Sequence, residues 1–190
     1  MEYRTLGKKL KVAPVGIGCM GFSHAYGTAV EKSEAIKTIR GAYEIGYNFF
    51  DTAECYTGVN DDGTISYNEE LVGEALKSVR DKVVIATKFG VEHNADKTLT
   101  LDSSPDTIKK SVEGSLKKLG ADYIDLYYQH RIDPKVEPET IAEVMAELVK
   151  AGKNPETTEL VKKRKYMEAV QKLSALKRDM ETAHERLASL

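Results

Sequence analysis

The chain has 190 residues, 41% of them hydrophobic and 31% charged, with a formal net charge of −2. That length suits one ordinary domain, the composition is that of a soluble protein, and no apolar run approaches the roughly 18 residues of a membrane span. The small net charge argues against a nucleic-acid surface, which needs a concentrated basic patch. The opening segment lacks the apolar stretch and small-residue cleavage site of a secretion signal, so the cytoplasm is the expected compartment.

The first residues, Tyr3–Leu6 and Leu10–Val12 about Gly7-Lys8-Lys9, read as a small hairpin. Short apolar runs then alternate with segments of helical period. The runs are Val15–Gly18, Tyr47–Asp51, Val83–Lys88 and Ile124–Tyr128, rich in β-branched and aromatic residues as doubly buried strands usually are. The helices are expected at Lys32–Ile45, Asn68–Ser78, Ser104–Leu119 and Pro138–Ala151. Ser104-Pro105-Asp106 supplies an N-cap, a first-turn proline and an early acid, and Gly120 supplies the stop. Alternation of this kind predicts an α/β fold on a parallel sheet.

Near residue 153 the composition changes. All 14 glycines lie at or before Gly152, and from Asn154 onward the chain is a Lys/Arg/Glu/Ala/Leu mixture opening on Asn154-Pro155, a helix-start pair. Tyr166, Ala169, Leu173, Leu176, Met180, Ala183, Leu187 and Leu190 recur alternately three and four apart, a heptad seam. Such a helix would reach about 50 Å and must find a partner, either its own domain or another chain. The run Lys162-Lys163-Arg164-Lys165 reads as a solvated helix face. We therefore expect two parts, 1–153 and 154–190.

Three predicted strands end in an ionisable residue: Asp51, Lys88 and His130. Tyr56 follows in the loop after the second. In parallel α/β folds the C-terminal strand ends and their loops form the site face, so these four residues should converge. Taken singly, each has an ordinary structural explanation, as a cap, a snorkelling chain, a core histidine or a packed ring. Together they form a working set. A phenol is a poor proton donor at neutral pH, with an ordinary pKa of about 10, and an ammonium beside it stabilises the phenolate. Lys88 can supply the ammonium, Asp51 can keep it charged and oriented, and a neutral His130 can donate a hydrogen bond to a carbonyl oxygen gaining charge. That machinery suits carbonyl reduction, and since no side chain supplies a hydride, a nicotinamide cofactor is implied.

Longer motifs carry a resemblance. Phe49-Phe50-Asp51-Thr52-Ala53-Glu54-Cys55-Tyr56, Asn68-Glu69-Glu70-Leu71-Val72-Gly73-Glu74-Ala75-Leu76, Ile85-Ala86-Thr87-Lys88 and Tyr123-Ile124-Asp125-Leu126-Tyr127-Tyr128-Gln129-His130 stand in the order seen in aldo-keto reductases, which residues 1–153 resemble. The resemblance implies a TIM-barrel fold. It also implies a tetrad of Asp51, Tyr56, Lys88 and His130 with Tyr56 as general acid, and NADPH or NADH approached by Met20, Gly21, Phe22 and Asp51. Gly16-x-Gly18-x-x-Gly21 also fits a dinucleotide fingerprint, but Phe-Ser-His-Ala-Tyr-Gly-Thr follows where that motif needs a helix. The four histidines show no metal-ligand spacing, and the two cysteines are expected to be reduced thiols.

Four βα units fill residues 1–153, whereas a closed eight-unit barrel takes about 250 residues. The expected fold is therefore half a TIM barrel, four βα units with parallel strands and an N-terminal hairpin, followed by a long C-terminal helix. The break in composition at residue 153 reads as a chimera, an engineered truncation or an aberrant product. In the resembled family the second half carries most cofactor contacts, so reduction of a small aldehyde or ketone is expected to be impaired. A half-barrel has open sheet edges, which the tail would cover by lying across them or by pairing chains into an oligomer, expected to be a dimer. The alternative function is an inactive half-barrel scaffold that oligomerises through its C-terminal helix.

Overall fold

The structure, a computed structural model, describes residues 2–7, 9–94, 96 and 98–151; the heptad segment lies outside them. Among the described residues there are ten strands: β1 (Arg4–Leu6), β2 (Leu10–Val12), β3 (Ile17–Gly18), β4 (Phe49–Asp51), β5 (Thr57–Val59), β6 (Ile65–Tyr67), β7 (Val84–Phe89), β8 (Val91–His93), β9 (Leu99–Leu101) and β10 (Leu126–Gln129). Four α-helices accompany them: α1 (Lys32–Glu44), α2 (Asn68–Leu76), α3 (Pro105–Leu119) and α4 (Pro138–Lys150). Strands β3, β4, β7 and β10 lie side by side in chain order and all pair in parallel, joined through α1, α2 and α3. This is the βα succession that the sequence predicts. No helix among the described residues is long and apolar enough to cross a membrane.

Alternation along the strands sorts side chains to the two faces of the sheet. Phe50, Ile85, Phe89 and Tyr127 enter the principal core with Ile39 of α1, Leu71, Val72 and Leu76 of α2, Ile108 and Val112 of α3, and Ile141 and Val144 of α4. The other face carries Val84, Ala86 and Leu126, covered by Val12 of β2, with Leu10 and Phe49 against them. Helix α2 comes so close to the end of α3 that a Cβ on Gly73 would stand 2.3 Å from the Leu119 carbonyl oxygen. Glycine is what allows that approach.

Capping follows the sequence in α3, where the Ser104 hydroxyl accepts from the Thr107 amide and Gly120 closes the helix at φ +58°. Strands β3, β4 and β10 are shorter than their apolar runs, whereas β7 keeps the expected length one residue further on. Val15 is 60% exposed and follows Pro14, which has no amide to give a ladder, so pairing begins at Ile17. Asn48 stays out of β4 because it serves as a stitch: its side chain accepts from the Ala13 amide and donates to the Lys11 carbonyl, while its own carbonyl accepts from the Val84 amide. The helix expected to reach Ser78 ends at Leu76 and continues as a kinked 3-10 segment, Lys77–Lys82.

Two hairpins were not expected, β5–β6 and β8–β9, which rise from the loops after β4 and β7. They share one turn chemistry. Asn60 and Thr64 close the first and Asn94 and Thr98 the second, and in each the threonine amide and hydroxyl donate to an aspartate two residues earlier, Asp62 or Asp96.

Candidate active site

The parallel register sets the geometry. Phe50 and Asp51 of β4 lie beside Ile85 and Ala86 of β7, and Ala86 and Lys88 of β7 lie beside Leu126 and Tyr128 of β10. Since Phe50 and Ile85 enter the helix-facing core, alternation turns Asp51 and Lys88 to the opposite face, at the C-terminal ends of their strands. There they meet: Lys88 Nζ is 2.6 Å from Asp51 Oδ1, 2.7 Å from the Thr52 carbonyl oxygen and 3.4 Å from the Tyr56 hydroxyl. The ammonium also stands 5.0 Å from the centre of the Tyr56 ring. His130 follows β10, its amide donating to the Phe89 carbonyl, and its ring meets that of Tyr56 edge-on at 5.6 Å between centroids. The four residues that the sequence singles out thus stand together at one mouth of the sheet.

The electrostatics follow from burial and neighbours. His130 has its imidazole pushed down to about 4, first by burial and then by the charges of Lys88 and Arg131, so the ring is neutral at physiological pH. Cys55 lies beside it, with Sγ 3.4 Å from His130 Nδ1, and burial followed by the charge of Glu54 pushes the thiol up to about 11. Cys19 is pushed up to about 12 by burial, and both cysteines are free thiols. His24 Nδ1 donates to the Thr57 carbonyl at 2.9 Å, and its ring stacks on Tyr56 and meets His93 at 4.5 Å.

Beneath the mouth runs a buried polar layer that the sequence reading did not single out. Asn68 accepts from the Thr52 hydroxyl and donates to the Cys19 carbonyl and the Ser23 hydroxyl, tying together the loops after β3 and β4. Ser23 in turn donates to the Tyr56 carbonyl, and the Asn68 amide donates to the same oxygen, each at 3.0 Å. Glu69, 1% exposed, accepts from Thr87 of β7 at 2.6 Å and faces Lys118 of α3 at 3.7 Å. Glu54 accepts from the Gly90 amide, and burial raises its carboxyl above the ordinary range. Asn68 and Glu69 look in sequence like the polar start of a helix; only their position against the loops after β3 and β4 and the strand β7 shows what they hold.

The residues expected near a cofactor are placed as follows. Met20, Gly21 and Phe22 form a single 3-10 turn directly after β3, not the long helix of a dinucleotide fingerprint. Gly18 pairs with Asp51, and a Cβ built on it meets nothing within 4 Å, so bare backbone faces open space there. Met20 packs on Ala53, Cys55, Tyr56 and Val91, whereas Phe22 packs against the principal core and its carbonyl accepts from the Val30 amide. Among the described residues no group of His, Cys, Asp or Glu is arranged to hold a metal ion.

A parallel βα sheet with an acid, a phenol, an amine and an imidazole at the C-terminal ends of its strands defines a TIM-barrel type of site. The sequence profile described as "Aldo/keto reductase family" matches residues 14–154, and the chain belongs to that family. It is 40% identical over 144 residues to a protein of Glycine max named "Probable aldo-keto reductase 1". Among solved structures it resembles an aldo-keto reductase from Bacillus halodurans in its holo form, with a TM-score of 0.68 and 33% identity over 81% of this chain. It also resembles a protein of Pseudomonas aeruginosa described as "Putative aldo-keto reductase", with a TM-score of 0.64 and 31% identity over 80% of this chain. The chain spans 40% of the Glycine max protein and 48% and 56% of the two solved structures.

Proposed function

We propose that this site reduces the carbonyl group of a small aldehyde or ketone to an alcohol, with Tyr56 as the proton donor. The observation that carries the reading is the position of Lys88 Nζ, 2.6 Å from the Asp51 carboxylate and 3.4 Å from the Tyr56 hydroxyl. Asp51 aims the lysine ammonium. The ammonium stabilises negative charge on the Tyr56 oxygen as its proton passes to the carbonyl oxygen, and neutral His130 donates a hydrogen bond to that same oxygen. The bonds from the Ser23 hydroxyl and the Asn68 amide to the Tyr56 carbonyl fix the backbone that carries the phenol, which helps to keep the transferring proton in line.

A nicotinamide cofactor, NADPH or NADH, supplies the hydride when bound. The donor set fits it: proton-transfer groups are present without a side chain able to give a hydride, and the open backbone at Gly18 lies next to Asp51. Met20, Gly21, Phe22 and Asp51 are the residues proposed to hold it.

Two measurements on the purified chain test this. NADPH is titrated while its fluorescence is followed, and consumption of the reduced cofactor is then recorded with 4-nitrobenzaldehyde. Binding followed by consumption supports the proposal. If NADPH fails to bind even at millimolar concentration, an oligomeric scaffold held by the heptad-spaced segment becomes the better account.

A further inference from the structure

A neutral imidazole has one donor nitrogen and one acceptor nitrogen, and the partner of one decides the character of the other. For His130 to donate a hydrogen bond to a carbonyl oxygen through Nε2, the proton must be kept off Nδ1. Among the described residues, the hydrogen-bond partner of Nδ1 is the Cys55 sulfur at 3.4 Å. A carboxylate or carbonyl oxygen in that place could only accept, and would draw the proton onto Nδ1, leaving Nε2 with none to give. A thiol can donate.

We propose that Cys55 is a positioning residue for His130: its S–H donates to Nδ1, fixes the imidazole proton on Nε2, and so makes Nε2 the donor toward the substrate oxygen. The catalytic consequence rests on the carbonyl-reductase reading above; the tautomer does not. Three observations allow the bond to run in this direction. Cys55 is 8% exposed and packed with Ala53, Tyr56 and Val91, so water has little access to take its place. The thiol, pushed up to about 11 by burial and the charge of Glu54, keeps its proton at physiological pH and remains a donor. The imidazole, pushed down to about 4, remains neutral and has an acceptor to offer. The charged or titratable groups acting on the ring are Lys88, Arg131, Asp51 and His93, with Tyr56 at its edge. The cations among them oppose protonation of the ring.

Long-range proton–nitrogen correlation spectra of the 15N-labelled chain read the tautomer directly, with His130 assigned by its loss in His130→Gln. The wild type should show a protonated Nε2 and a bare Nδ1 as the sole form from pH about 6 to about 8. Cys55→Ala should show both tautomers, the ratio shifted roughly fivefold toward the Nδ1 proton, which is the worth of one net hydrogen bond. Cys55→Ser, which keeps a donor, should restore the Nε2 form as the majority. A wild-type spectrum with the proton on Nδ1, or a ratio unchanged in Cys55→Ala, overturns the proposal. If the alanine variant does not fold, the wild-type spectrum alone decides. The spectra need no turnover, so a chain that shows the Nε2 tautomer yet reduces no aldehyde contradicts the proposed function and leaves the role of Cys55 in place.

Discussion

Two ion pairs stand at opposite ends of the same parallel sheet. At the N-terminal ends, Arg80 precedes β7 and Asp125 precedes β10, and they meet at 2.7 Å with side chains only 15% and 9% exposed. Asp125 also accepts from the Ile85 amide, and Arg80 donates to the Val83 and Tyr123 carbonyls with its guanidinium 4.0 Å over the Tyr123 ring. At the C-terminal ends, Lys88 and Asp51 meet at 2.6 Å, but Asp51 is 39% exposed and the lysine's third near neighbour is the Tyr56 hydroxyl. The first pair is closed upon the backbone and ties strand to strand. The second is open on one side and aims a charge at a phenol. One ion pair thus ties strands together at one mouth of the sheet, and under the proposed function the other serves chemistry at the opposite mouth, as this class of fold generally divides its two ends.

The sharpest test of the division removes one cation at each mouth. Lys88→Met should lower carbonyl reduction about 10³-fold, close to 4 kcal/mol of transition-state stabilisation, with little change in the urea midpoint. Arg80→Met should do the reverse. It leaves the buried Asp125 carboxylate without its cation, so urea unfolding should show a loss of about 3 kcal/mol while turnover per folded molecule is unchanged. Replacing both partners, Arg80→Met with Asp125→Asn, should recover more than half of that loss, because an unpaired buried charge is what costs most. Gly73→Ala should cost about 2 kcal/mol in the same assay, since its Cβ would meet the Leu119 carbonyl oxygen at 2.3 Å and α2 must shift.

The smallest expected effect is one of pH. His130 has a folded-state value of about 4, below its ordinary 6.5, so between these values the unfolded chain binds the proton better. Its contribution to stability is therefore full above pH 6.5 and is lost as pH falls toward 4. Urea midpoints measured across that window should fall less steeply in His130→Gln than in the wild type. Equal slopes would mean that the ring is not held neutral.

Much of this was legible in the sequence because chemistry and pattern coincide at the strand ends. Asp51, Lys88 and His130 each sit where an apolar run stops, and in a parallel sheet those stops share one mouth. Other parts were hidden for physical reasons. The hairpin β5–β6 had a signal, Asp62-Gly63 between Val59 and Ile65, but its strands are three residues each and carry no long alternation. The hairpin β8–β9 has two equally short strands around Asp96, without a glycine. Asn68 and Glu69 read as an ordinary helix start, and no sequence period reports that they bind the loops after β3 and β4 and the strand β7. His24 and His93 are 69 positions apart by number and come together only because both follow strand ends on the same rim. Cys55, read as a plain reduced thiol, owes its interest to His130, which lies 75 residues away.

Reduction of 4-nitrobenzaldehyde by the chain and by Tyr56→Phe, followed through the absorbance of the reduced nicotinamide, tests the central claim most directly. The account predicts turnover by the native chain and a loss of at least about 10²-fold in the variant, the usual worth of a positioned proton donor. Equal rates from the two proteins would contradict it.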